Sequence, residues 1–210
     1  MTNGIRVLVG CEFTGNVRRK FRELGFDAWS CDLLPAEDGG HHLHCDVMSI
    51  LDKGWHAAIF FPDCTYLCSS GLHWNKRRPE RAEKTEQALE FVQRLMDAPI
   101  PHIALENPVG CISTRIRKFD QAIQPYQFGD DASKKTCLWL KNFPLLKETK
   151  FVPPRIVKGR ERWANQTDSG QNRLGPSPTR GLDRARTYSG IARAMAVQWG
   201  AFLRKQYDPS

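Results

Sequence analysis

The sequence predicts an α/β fold: a doubly wound, mostly parallel sheet in the Rossmann-like manner, followed by a basic and irregular C-terminal segment. Three observations predict it. Short apolar, β-branched runs alternate with stretches of helical periodicity over residues 5–140, the pattern of βα units. Glycine, proline and acidic residues punctuate the ends of those runs. The charge is also uneven: residues 1–110 carry a balance of −3 and residues 111–210 a balance of +11, for a net charge of +8.

The elements follow in order. Ile5 to Gly10 is short, β-branched and closed by glycine, and reads as the first strand. Asn16 to Leu24 places apolar residues at 17, 21 and 24, a helical spacing, and Gly25 suits its C′ position. Phe26 to Cys31 is the second strand, with Asp32 at its end. Residues 34–44, rich in Gly and His, read as a loop. Asp46 begins a short helix through Leu51. Trp55 to Phe61 is the third strand, and residues 62–78 a long loop.

Pro79 suits the first turn of a helix reaching Met96, with Ala88, Leu89, Phe91, Val92, Leu95 and Met96 as its apolar face. His102 to Leu105 is the fourth strand, ending at Glu106. Thr136 to Leu140 is a further strand. Residues 153–183 show no periodicity and read as a long loop or disordered segment. Ser189 to Phe202 closes the chain as a helix with small residues at 190, 192, 194 and 196. The division is a catalytic and cofactor-binding core over residues 1–141, a basic Pro/Arg-rich segment over 142–187, and a C-terminal helix over 188–210 packing back on the core.

Composition narrows the function classes. No apolar run approaches the ~20 residues of a membrane span. The start of the chain runs into a strand with no secretory pattern, so the expectation is a cytoplasmic protein without a membrane partner. Seven cysteines without a disulfide-scaffold spacing are expected as free thiols. A basic half joined to a near-neutral half suggests a catalytic body with a surface for a polyanion.

In a parallel sheet, ligands bind beyond the carboxyl ends of the strands. Phe13, Gly15, Asp32, Asp46, Cys64 and Glu106 all fall at or just after such ends. Each has a structural alternative. Asp46 suits a helix N-cap, a buried cysteine suits packing, and Glu106 before Asn107-Pro108 suits a turn. The histidines at 41, 42 and 44 with Cys31, Cys45, Cys64 and Cys68 offer soft metal ligands. Their spacing matches no paired Cys-x2-Cys framework, so no metal is expected.

Taken together, these strings resemble the DNA cytosine-5 methyltransferase family, in a short form without a sizeable target recognition domain. Phe13-Thr14-Gly15 resembles the family's turn after strand one, which holds S-adenosylmethionine; Thr14 replaces a serine, and Val17 stands at the family's next glycine. The resemblance implies that Asp32 binds the ribose hydroxyls and Asp46 the adenine amino group. It also places Phe61 and Ser189 at the cofactor, Ser189 within Tyr188-Ser189-Gly190-Ile191-Ala192, which resembles the last motif.

Pro62-Asp63-Cys64-Thr65 resembles the family's nucleophile loop, and Ser70-Gly71 follows at the family's distance. Asp63 is a departure, since a negative neighbour raises a thiol pKa. Thr65 replaces a glutamine. Glu106-Asn107-Pro108 resembles the family's Glu-Asn-Val. Lys134 and Lys135 lie where the family has paired arginines, one of them at the pyrimidine carbonyl oxygen. The catalytic set implied is therefore Cys64, Glu106 and Lys134 or Lys135, with Thr65 and Asn107 toward substrate; Arg160 and Arg162 are assigned to substrate from the basic segment's charge instead.

The implied reaction adds a thiolate to carbon 6 of cytosine, creating an enamine whose carbon 5 attacks a methyl sulfonium. A carboxyl at N3 stabilises the charge that develops. Arg155, Lys158, Arg160, Arg162, Arg173, Arg180, Arg184 and Arg186 offer grips for phosphate, and Trp163 either stacks on a base or anchors packing. Three readings stand. One is a compact enzyme acting on double- or single-stranded DNA with relaxed or partner-supplied specificity. Another is similar chemistry on a free pyrimidine nucleotide or RNA. The third is a non-catalytic nucleic-acid-binding relative.

Overall fold

A computed structural model describes residues 4–208. The reading of the extreme N-terminus and of the last two residues of the closing segment lies outside them. Seven strands form one sheet: β1 (Arg6–Gly10), β2 (Asp27–Asp32), β3 (His42–His44), β4 (Ala57–Phe60), β5 (His102–Pro108), β6 (Gln121–Ile123) and β7 (Thr136–Lys141). Their order is β3-β2-β1-β4-β5-β7-β6, so the chain winds one way from β1 and then the other from β4. β3 through β5 are parallel; β7 runs antiparallel to β5, and β6 to β7. The sheet is the doubly wound, mostly parallel one expected.

Alternation along β1 builds two cores. Val7 and Val9 face one side with α1 (Asn16–Glu23) and the C-terminal helices, burying Phe21, Met195 and Trp199. Leu8 faces the other with Ala58 and Phe60, covered by Leu89, Val92 and Leu95 at helical spacing. Those last three lie on the long helix Pro79–Met96, which follows the four-residue α2 (Ser69–Leu72) and is therefore α3. Each such large apolar side chain contributes about 1.5–3 kcal/mol by leaving water.

Further elements differ from the sequence reading. β3 and β6 are three residues long and carry no apolar alternation, so pairing to a neighbour defines them. Residues 109–117 hold α4 (Ile112–Arg115). Within the segment read as a loop, β8 (Arg155–Val157) and β9 (Arg160–Arg162) form a hairpin, and α5 (Arg180–Ala185) follows. The hairpin turns at Lys158 (φ 49) and Gly159 (φ 73), the positive-φ pair that suits a two-residue connection. The closing helix is α6 (Ser189–Ala194), a π-turn over Met195–Trp199, and α7 (Gly200–Tyr207). No helix among the described residues is long and apolar enough to cross a membrane.

Candidate active site

The strand order reverses between β1 and β4, and their parallel carboxyl ends splay a crevice at that point. A cavity of about 830 Å³ lies there. Phe13, Asp32, Asp46 and Phe61 line one part of it, and Cys64, Thr65, Glu106, Asn107 and Lys134 another. Thr14, Gly15, Lys135, Ser189, Arg160 and Arg162 do not line it.

The turn after β1 explains part of this. Gly15 sits at φ 68 as the N-cap of α1, and a Cβ there would overlap the Arg18 guanidinium. Thr14 is buried and its carbonyl accepts from Arg19 Nη1 at 2.9 Å. These two residues shape the turn while Phe13 faces the cavity. With no side chain at the N-cap, α1 is capped by Glu12, which accepts from the backbone N–H of Val17 at 2.7 Å and of Arg18 at 3.4 Å. Glu12 is 4% exposed, and burial pushes its carboxyl up to about 7 against those hydrogen bonds and the nearby Arg18 and Arg19. Sequence reading missed it; a carboxylate shortly before a helix that lacks its own cap was the available signal.

Asp32 ends β2 and accepts from Leu34 N through Oδ1. Asp46 caps a 3₁₀ turn over Val47–Ser49, accepting from Met48 N at 2.9 Å, so its N-cap role holds alongside its place in the cavity wall. His42 and His44 bond the Leu34 and Leu33 carbonyls at 2.9 Å, and His42 Nδ1 meets Ser30 Oγ. They fasten the 33–34 loop to the sheet edge. Arg18, 1% exposed, bonds Asp38, Ser30 and the His41 carbonyl, fixing the far end of the same loop. Cys31 and Cys45 approach to 3.9 Å between sulfurs, behind these two aspartates.

Cys64 follows β4 on a turn built by its neighbour. Asp63 Oδ1 accepts from Thr65 N at 2.9 Å and Thr65 Oγ1 at 2.7 Å, an Asx turn that commits the carboxylate to the loop. Asn107 Nδ2 donates to Pro62 O at 2.8 Å, and Ser69 N and Cys111 N bond Val109 O and Leu67 O. The loop therefore lies against the segment after β5. Gly110 permits this: a Cβ there would overlap the Leu67 carbonyl.

β4 ends with Phe60 opposite Leu105, so Glu106 is the first residue past the parallel part of the sheet. β5 itself continues to Pro108 against β7, which holds Glu106 within a strand rather than at its end. Burial pushes the Glu106 carboxyl up, opposed by Lys134 and the Thr136 hydroxyl. Burial also pushes the Cys64 thiol up to about 11, reinforced by Cys68, Asp63 and Glu106 and opposed by Lys134. Lys134 precedes β7 and faces the cavity; Lys135 is exposed and acts on Cys137 instead.

The cavity has a roof that sequence reading did not foresee. Pro178, Gly181, Leu182, Arg184 and Ala185 close it from above. Lys134 Nζ donates to Arg184 O at 2.9 Å, and Arg186 makes a two-pronged ion pair with Glu37 at 2.6 and 2.7 Å. Ser189 opens α6 at the surface, outside the cavity. Arg162 donates to Glu161 O and Asp168 O, and Arg160 is exposed at the hairpin. Trp163 stacks on Tyr126 at 4.1 Å and donates to Val152 O, which makes it a packing anchor and removes it from base stacking.

No protein-family model matches the chain, and no curated protein matches it. Among solved structures, it is similar to an E. coli protein described as a "putative DNA modification methyltransferase encoded within prophage". The identity is 13%, the TM-score 0.48, and the match covers 74% of this chain and 54% of that one. The chain thus spans about half the length of that protein.

Proposed function

We propose that this chain is an S-adenosylmethionine-dependent methyltransferase acting on carbon 5 of cytosine in DNA through a covalent adduct at Cys64. One observation carries the reading: Cys64, Glu106 and Lys134 line the same cavity as Asp32, Asp46, Phe13 and Phe61, at the reversal of the strand order. The donor set fits the cofactor. Asp32 and Asp46 each commit Oδ1 to a backbone N–H, leaving Oδ2 for a diol or an amine, between the apolar walls of Phe13 and Phe61. When bound, S-adenosylmethionine supplies an electrophilic methyl group.

The chain's own residues do the rest. Cys64 Sγ gives its proton to water and bonds carbon 6 of the ring. Glu106, whose carboxyl burial pushes toward its neutral form, passes a proton to N3 as the carbon 5–carbon 6 double bond opens, so the ring carries no full negative charge. Once carbon 5 carries the methyl group, its own proton leaves to water, the carbon 6–sulfur bond breaks to release the thiolate, and N3 returns its proton to Glu106. Lys134 offsets the anionic character of the thiolate and of the ring carbonyl. Its ammonium also donates to Arg184 O, which ties this cation to the roof while leaving two N–H donors for a base. Asn107 holds the Cys64 loop through Pro62 O. Thr65 stands at the mouth, and Arg160 offers a cation to phosphate while Arg162 braces the hairpin. Specificity in this reading is relaxed or supplied by a partner.

The experiment is a trap. DNA carrying 5-fluorocytosine cannot lose its carbon 5 substituent, so incubation with labelled S-adenosylmethionine yields a stable protein–DNA adduct. Cys64→Ser yields none. Glu106→Gln retains cofactor affinity and forms the adduct more slowly. Absence of adduct on DNA, RNA and free nucleotide would overturn the enzyme reading. The high proton affinity of Cys64 is the observation favouring the alternative, a nucleic-acid-binding relative without turnover.

A further inference from the structure

Four of the seven arginines expected to grip phosphate along 155–186 are spent within the fold. Arg155 pairs with Asp168 at 2.6 Å and bonds Gln166 O; Arg173 bonds the same carbonyl; Arg162 bonds Asp168 O; Arg186 pairs with Glu37. These bonds hold an irregular segment in shape. The opposite situation holds between the Cys64 loop and the first turns of α3. Lys76, Arg77 and Lys84 are exposed, and among the described residues none has a side-chain hydrogen bond or ion pair. Over residues 73–84 five lysines and arginines stand against two glutamates.

Aromatic rings are interleaved with these cations. Arg78 lies 5.2 Å from the Trp74 ring, and Trp74 is 40% exposed. Arg81 and Lys84 lie 4.9 and 5.6 Å from the Tyr66 ring. The surface is tied directly to the candidate nucleophile loop: Arg81 donates to Thr65 O at 2.7 Å and to Gly71 O, and Thr85 Oγ1 donates to Tyr66 O. A cation-lined track with ring faces is the construction that receives single-stranded nucleic acid, the cations following phosphate and the rings taking bases.

We propose that Tyr66, Trp74, Lys76, Arg77, Arg78 and Lys84 form the surface on which this protein binds single-stranded nucleic acid beside the mouth of its cavity. The proposal rests on the proposed function for the placing of a target base at Cys64, and it moves the main polyanion contact from the C-terminal segment to this loop and helix. Guanidinium on indole presents a flat, charged platform, and the unpaired cations need no internal partner to be broken before phosphate binds.

The test is fluorescence anisotropy of a short labelled single-stranded oligodeoxynucleotide across a salt series, without cofactor. The triple variant Lys76→Ala/Arg77→Ala/Lys84→Ala should flatten the log–log salt slope by about 2, at about 0.7 for each phosphate no longer neutralised. Trp74→Ala should weaken binding about tenfold with the slope retained. The hairpin variant Lys158→Ala should bind nearly as the parent does. Lys84→Glu, a single surface change, repeats the test if the triple variant melts early. An unchanged slope in the triple variant, a larger loss in the hairpin variant, tighter binding of a duplex, or equal binding of heparin that ignores Trp74→Ala would each overturn the proposal. Loss of the 5-fluorocytosine adduct with binding still dependent on this surface would retract the catalytic reading alone.

Discussion

Glu12→Gln isolates one buried charge at the turn that shapes the cavity. The carboxyl is 4% exposed and raised by burial from 4.5 to about 7, net of the two backbone hydrogen bonds that favour its anion. A raised acid binds its proton more tightly when folded, so its stabilising contribution is complete below about pH 4.5. It is then lost as pH rises to about 7, and flat beyond. At about 1.4 kcal/mol per pH unit, that window corresponds to about 3 kcal/mol. Glutamine has no such titration. The difference in unfolding free energy between Glu12→Gln and the parent, from urea melts at several pH values, should therefore shift toward the variant by about 3 kcal/mol between pH 4.5 and 8. Other titrating groups cancel in that difference. Parallel pH profiles would refute the argument, because they would mean that Glu12 is solvated or fully compensated.

The Cys64 thiol should react with iodoacetamide about tenfold faster per pH unit from pH 7 to 10, as its thiolate fraction grows. Lys134→Met should slow that reaction and Glu106→Gln speed it, read by peptide mapping; a rate that levels off by pH 8 would contradict the burial argument. Gly110→Ala forces a methyl into the Leu67 carbonyl and should cost about 1–3 kcal/mol by thermal melting, with slower adduct formation as the Cys64 loop lifts. Arg186→Ala removes an ion pair whose side chains are 42% and 38% exposed, worth about 0–1 kcal/mol. Stability should barely move, while trypsin should cut faster at Arg180 and Arg184 as the roof loosens; unchanged cleavage would mean that Lys134 alone holds it.

Asp63 shows how local geometry decides the effect of a charge. Next to a thiol it raises proton affinity, and it does so here. Yet both bonds to Thr65 use its Oδ1, so the same residue builds the turn that presents Cys64. Burial contributes more to the thiol's proton affinity than Asp63 does, and Lys134 is the cation set against both.

The sequence by itself determined the parallel sheet, because β1, β2, β4, β5, α1 and α3 each carry enough apolar periodicity to declare their type. It also marked Asp32, Asp46, Cys64 and Glu106, because strand ends in such a sheet converge on a crevice whatever the loops do. Tertiary structure alone decided the rest. The three-residue strands β3 and β6 exist only through their partners. Two adjacent lysines look alike in a string, and only the register of β7 turns Lys134 inward and leaves Lys135 outside. The many arginines after residue 150 read as free charge, whereas Asp168, Gln166 and Glu37 hold four of them, Arg155, Arg162, Arg173 and Arg186. Short loops and long-range ion pairs leave no period in a sequence, since their energy comes from residues distant along the chain.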